Sequence, residues 1–161
     1  QTTASRANDR AFSSGLALGA AAGSEAPMFG GVALYYLQLE NPRLRVAMHV
    51  GAGGVPRLIA IRNWGFAAGA FLAYGRHNRL IAGLAAGTQD WERLNWYGTQ
   101  LASRQLWGAG LAVGYEWMSS FGFFVRTSVG PSFHVRPERP LIRRKVSPSF
   151  QLGLTLGYKL W

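Results

Sequence analysis

The strongest constraint on this chain is a period of two near its C-terminal end. In Phe150-Gln151-Leu152-Gly153-Leu154-Thr155-Leu156-Gly157-Tyr158-Lys159-Leu160, every second residue is large and apolar, and those between are Gln, Gly, Thr, Gly and Lys. A helix would scatter Leu152, Leu154 and Leu156 around its circumference. An extended strand puts them on one face, because successive side chains point to opposite sides. The segment is therefore a strand with one apolar face and one small or polar face.

The same alternation recurs, less regularly, over 12–22, 30–39, 43–52, 64–75, 79–89, 104–117 and 119–130, giving eight strands with the last at 150–160. In the third, Leu44, Val46, Met48 and Val50 alternate with Arg45, Ala47, His49 and Gly51. The second has no readable phase, because Leu34-Tyr35-Tyr36-Leu37 is apolar on both faces. Short turns fall at 40–42, 76–78 and around Met118-Ser119, and longer connections at 24–29, 53–63, 90–103 and 131–148. Short and long connections alternate along the whole chain, as in an up-and-down barrel with tight turns at one end and loops at the other. The expected fold is all-β, an eight-stranded antiparallel up-and-down transmembrane β-barrel over 12–161, preceded by a short polar segment, 1–11.

A length of 161 residues suits one domain. No run of 18 apolar residues occurs, which excludes a membrane-spanning helix, but 64–74 has the roughly 9–11 residues that a spanning strand needs. The chain has no cysteine, so disulfides, thiolate metal sites and cysteine nucleophiles are excluded. Seventeen Lys and Arg against seven Asp and Glu leave a net charge of +10, which calls for an anionic partner or surface. Nucleic acid is not the expected one. The cations are scattered or gathered near loops, form no helical stripe and match no nucleic-acid-binding signature.

The division between the two faces argues for lipid. Gly15, Ala17 and Gly19, Gly65, Ala67 and Gly69, Gly83, Ala85 and Gly87, and Gly108, Gly110, Ala112 and Gly114 share the small face. Eight strands enclose a space only wide enough for side chains, so small residues suit the inside. Leu16, Leu18, Phe66, Leu72, Leu80, Leu84, Leu111, Val113 and Leu152 then face outward, the reverse of a water-soluble barrel. Aromatic residues fall toward strand ends, with Trp64 and Tyr74 bracketing the fourth strand and Trp107 and Tyr115 the sixth, as in two interfacial girdles.

The final Leu154-Thr155-Leu156-Gly157-Tyr158-Lys159-Leu160-Trp161 resembles the closing strand of bacterial outer-membrane proteins, and the layout of strands and loops resembles the small eight-stranded members of that group along most of the chain. The resemblance implies an outer-membrane location. It also implies the barrel-assembly machinery as a partner during insertion, with Tyr158 and Trp161 as the assembly signal. Trp161 departs from the pattern, being out of phase with Leu156, Tyr158 and Leu160.

No catalytic constellation emerges. The lipid A deacylases of the outer membrane carry a Ser two residues after a His, whereas His49 is followed by Val50-Gly51 and His134 by Val135-Arg136. Acids are too few for a paired-carboxylate site or a metal cage, and no cofactor is expected. Arg45, His49, Glu116, Arg126 and Lys159 fall on the small-residue face and are expected to form an interior charge network that plugs the lumen. Arg136, Arg139, Arg143, Arg144 and Lys145 cluster in the last long connection, which Pro131, Pro137, Pro140 and Pro148 stiffen, and would suit the phosphates of lipopolysaccharide or a protein partner. The expected function is non-enzymatic: a structural or interaction role, including that of an accessory subunit of an envelope complex. A lipid A-modifying enzyme and a narrow pore are the alternatives.

Overall fold

The computed structural model describes residues 13–23, 29–56, 61–94, 100–137 and 144–160. The elements are β1 (Gly15–Gly23), β2 (Phe29–Gln38), β3 (Leu44–Pro56), β4 (Ile61–Gly75), β5 (Asn78–Leu94), β6 (Gln100–Met118), β7 (Phe123–Pro137) and β8 (Arg144–Lys159). Each strand is antiparallel to the next, and β8 pairs back onto β1, so the sheet closes into a barrel. Closure gives the first and last strands backbone partners, which hydrocarbon requires because it offers no hydrogen bonds of its own.

The two faces divide as the alternation predicts. Leu80, Leu84, Leu111, Leu152 and Phe150 stand on the outer wall, Phe150 72% exposed, while Ala17, Ala47, Ala67, Ala73 and Ala112 are buried inside. A continuous exposed belt of large apolar residues has no place in water and fits a bilayer. Aromatic pairs mark both rims of the belt: Trp117 against Phe123 near the short turns and Phe66 against Trp107 toward the loops, each with ring centroids 6.3 Å apart. Thr88 lies in register between Phe66 and Trp107 and is buried beside them. In β2 the inward set is Val32, Leu34 and Tyr36, with Tyr35 and Leu37 outside.

Several boundaries differ from expectation. The first strand begins at Gly15 rather than at 12, and β7 at Phe123 rather than at 119, because Ser119 to Gly122 form the turn, with Gly122 at φ +101°. That backbone conformation is open to glycine and strained for other residues. The larger correction is at the other end. Most of the expected loops 90–103 and 131–148 are ladder: β5 runs to Leu94, β6 starts at Gln100, β7 runs to Pro137 and β8 starts at Arg144. Asp90, Glu92 and Arg93 interrupt the apolar alternation in the first stretch, and Pro131, Pro137 and Pro148 read as turn residues in the second, while backbone pairing continues through both.

Inside, glycines make room for rings. Gly69 is opposite His49, Gly83 opposite Phe71 and Gly157 opposite Phe124. A Cβ at Gly83 would lie 2.5 Å from Phe71 Cδ1, and one at Gly157 2.5 Å from Phe124 Cζ. Phe71, Phe124, Tyr36 and Leu34 thus fill the half of the lumen nearer the short turns. Toward the loops, inward residues such as Ala85, Gln151 and Ser149 are partly or fully exposed.

Candidate functional site

The densest chemistry lies at the turn end of the lumen. Glu116 is two residues from the end of β6, with Arg79 directly opposite it on β5 and Arg126 directly opposite on β7. Three adjacent strands therefore deliver three inward charges at one level. Glu116 Oε1 accepts from Arg79 Nη1 at 2.5 Å; its Oε2 accepts from Arg126 Nε at 2.9 Å, Arg126 Nη2 at 2.6 Å and the Tyr36 hydroxyl at 2.7 Å. Tyr36 reaches in from β2, four strands away in either direction around the barrel, so the cluster closes the lumen crosswise. Its carboxylate and both guanidinium groups are fully buried.

The aromatic filling completes this closure. The Arg126 guanidinium lies 4.9 Å from the Phe71 ring centre and 6.0 Å from those of Tyr36 and Phe124, and Arg79 lies 5.7 Å from Tyr36. A buried cation over a ring face is stabilised by the ring quadrupole. Arg79 also donates through Nε to the Arg76 carbonyl at 2.8 Å.

The other interior residues singled out from the sequence surround this core. Arg45 Nε donates to Gln38 Oε1 at 2.5 Å, its register partner on β2. Lys159 Nζ donates to the Ser13 carbonyl, and the Gln38 amide to Ser14 Oγ at 2.9 Å, so the residues before β1 are tied to both β8 and β2. His49 stacks on Phe71 at 4.8 Å with the rings 20° apart. Glu116 and Arg126 are brought into direct contact, while Arg45, His49 and Lys159 are inward and buried around them.

Sequence reasoning missed Arg79 and Tyr36. Arg79 shares its parity with Gly83, Ala85 and Gly87, and that signal alone would have placed it inside. Tyr36 was hidden by the ambiguous phase of β2.

This cluster is ill suited to catalysis. The one carboxylate is occupied by donors from three side chains, and a general base needs a lone pair within reach of a substrate proton. Its geometry is that of a plug.

At the loop end, Arg136 is directly opposite Lys145 and Pro137 opposite Arg144 in the β7–β8 ladder, where a loop was expected; Pro131 and Pro148 are also strand residues, while Pro140, Arg139 and Arg143 lie outside the described residues. His134 is likewise a strand residue, opposite Gly108 and Ser147. Tyr158 faces outward, opposite Leu18 and Phe123. Trp161, and the polar segment 1–11, lie outside the described residues, and so do the side chains of Trp64 and the β7–β8 cations.

The fold is shared with solved outer-membrane barrels. The N-terminal β-barrel domain of Pseudomonas aeruginosa OprF matches with a TM-score of 0.60 at 15% identity, over 91% of this chain and 99% of that one. Outer membrane protein H (OprH) of P. aeruginosa, determined in micelles, matches at 0.55 and 13% identity, again over 91% and 99%. No protein-family model and no curated protein matches the sequence. The architecture is that of the small eight-stranded outer-membrane β-barrels.

Proposed function

We propose that the protein is a non-enzymatic outer-membrane barrel that acts through its loop-side surface, where the basic residues Arg136, Arg139, Arg143, Arg144 and Lys145 engage the phosphates of lipopolysaccharide. The observation that carries this is the closed turn end of the lumen. With Glu116, Arg79, Arg126 and Tyr36 filling that end and lipid covering the apolar belt, passage through the lumen is shut, and the polar surface that carries the cationic cluster is at the loops. Arginine matches phosphate oxygens with paired donors, which suits this composition. During insertion the assembly machinery is the expected partner, recognising Tyr158 and Trp161.

The test is binding of lipopolysaccharide to the folded barrel in micelles, comparing the native chain with a variant carrying glutamine at those five positions. Loss of binding in the variant supports the proposal; equal binding refutes it. A lipid A-modifying enzyme remains the second hypothesis only if lipid A mass spectra differ between cells with and without the gene. A protein partner, with the barrel as an accessory envelope subunit, is the outcome if lipopolysaccharide does not bind and a stoichiometric companion purifies with the barrel.

A further inference from the structure

The barrel wall is not of one height. The seam between β1 and β8 ends at Gly23 opposite Gly153, and residues 144–152 of β8 then continue against β7 alone among the described residues. Among the described residues, pairing of β6 with β7 ends at Trp107 opposite Val135, beyond which β5–β6 and β7–β8 continue as two ladders. At about 3.3 Å per residue and a tilt near 40°, β8 rises roughly 20 Å beyond the seam. Among the described residues, the β1–β2 pairing ends at Ala22 opposite Phe29.

Alternation continued upward sorts the charges of these ribbons. Counting from Gly87 on β5, Gly108 on β6, Ser132 on β7 and Gln151 on β8 puts positions Arg93, Arg104, Arg136 and Lys145 on the lumen-side face. Asp90 and Glu92 have the opposite parity. Among the described residues, the lumen-side face therefore carries four cationic positions and no acidic one, and two of them, Arg136 and Lys145, are direct register partners. Like charges directly opposite one another destabilise a ladder, and an anion bound between them removes that cost.

The height identifies the anion. Arg104 and Arg136 are each three residues beyond the outward-facing Trp107 and Phe133. Three residues correspond to roughly 7 Å along the membrane normal, the thickness of one headgroup layer above the hydrocarbon. We propose that the lumen-side face of the two ribbons, which extends above the last described β1–β2 pair, binds a phosphorylated lipid headgroup of the surrounding leaflet through Arg93, Arg104, Arg136 and Lys145. This rests on the function proposed above and narrows it from the basic stretch 136–145 to one face built by four strands.

The test uses the folded barrel in micelles, with bisphosphorylated lipid A as probe and its dephosphorylated form as control. Arg104→Gln/Lys145→Gln should weaken binding of the phosphorylated probe by about tenfold or more, as expected for charge-assisted bonds. Arg139→Gln/Arg143→Gln should weaken it as well, but by a clearly smaller factor of about threefold. An unchanged thermal unfolding profile shows that both variants are folded. Loss only in the Arg139/Arg143 variant, or equal loss in both, overturns the inference and leaves the broader function standing. No loss in either, or equal affinity for the dephosphorylated control, overturns both.

Discussion

Glu116→Gln tests the plug directly. The native carboxylate accepts four hydrogen bonds from Arg79, Arg126 and Tyr36, all within 2.9 Å. A carboxamide retains one acceptor oxygen and turns an NH2 group toward a guanidinium that is itself a donor. At least one arginine then stays buried opposite a neutral donor. Removing one partner of a buried ion pair costs about 3–5 kcal/mol, because the remaining charge is left uncompensated. The variant should therefore unfold in urea, in the presence of micelles, with a free energy lower by about that amount. A second measurement separates the pair from mere disruption. Arg126→Met leaves Glu116 with Arg79 in a one-to-one pair, and the double variant should cost less than the two singles together by about 1–3 kcal/mol. Planar-bilayer recordings complete the set: the native barrel should pass no stepwise current, while Glu116→Gln, with its cations no longer held together, should show openings. A stability change below about 1 kcal/mol, or strict additivity with Arg126→Met, would refute the account of the plug.

Other consequences are open to measurement. Leu84→Arg, near the middle of the outer belt, should lower unfolding stability by about 2–4 kcal/mol in vesicles, whereas Phe150→Arg near the loop-side rim should cost about 1 kcal/mol or less; equal costs would contradict the placement of the belt. Gly83→Val should destabilise by about 1–3 kcal/mol by driving Phe71 from its place, readable as a shifted urea midpoint with an unchanged slope. Lys159→Met removes the tie to Ser13 and should cost about 1–3 kcal/mol, with earlier proteolytic cleavage before β1 as a second readout.

The architecture was legible where one physical rule governed a strand. Leu44 to Gly51 and Phe150 to Leu160 alternate cleanly because one face meets lipid and the other a narrow lumen, and the structure keeps both phases. Legibility failed where that contrast disappears. In β2 the lumen is filled by Leu34 and Tyr36, so both faces are bulky. Above the belt, Asp90, Glu92 and Arg93 interrupt the apolar face of 90–94, and Pro131 and Pro137 bound 131–137 like turn residues, so both stretches resemble loops although they are paired. The cluster was half visible: Glu116 and Arg126 followed from parity, and Arg79 at the start of the fifth strand shares it, but its pairing with Glu116 depends on register between β5 and β6 that a single sequence does not display.

The seam between β1 and β8 has a consequence for biogenesis. Ala17 pairs with Lys159, so one of the earliest strand residues waits for one of the last before it finds its partner. Until then every partial sheet has two raw edges, which hydrocarbon penalises by several kcal/mol per unsatisfied group. Stepwise threading of hairpins into the bilayer during translation is thereby disfavoured, and the polypeptide has to be delivered whole and sealed in a single concerted event. Removing the last few residues should abolish stable insertion altogether rather than weaken it in proportion.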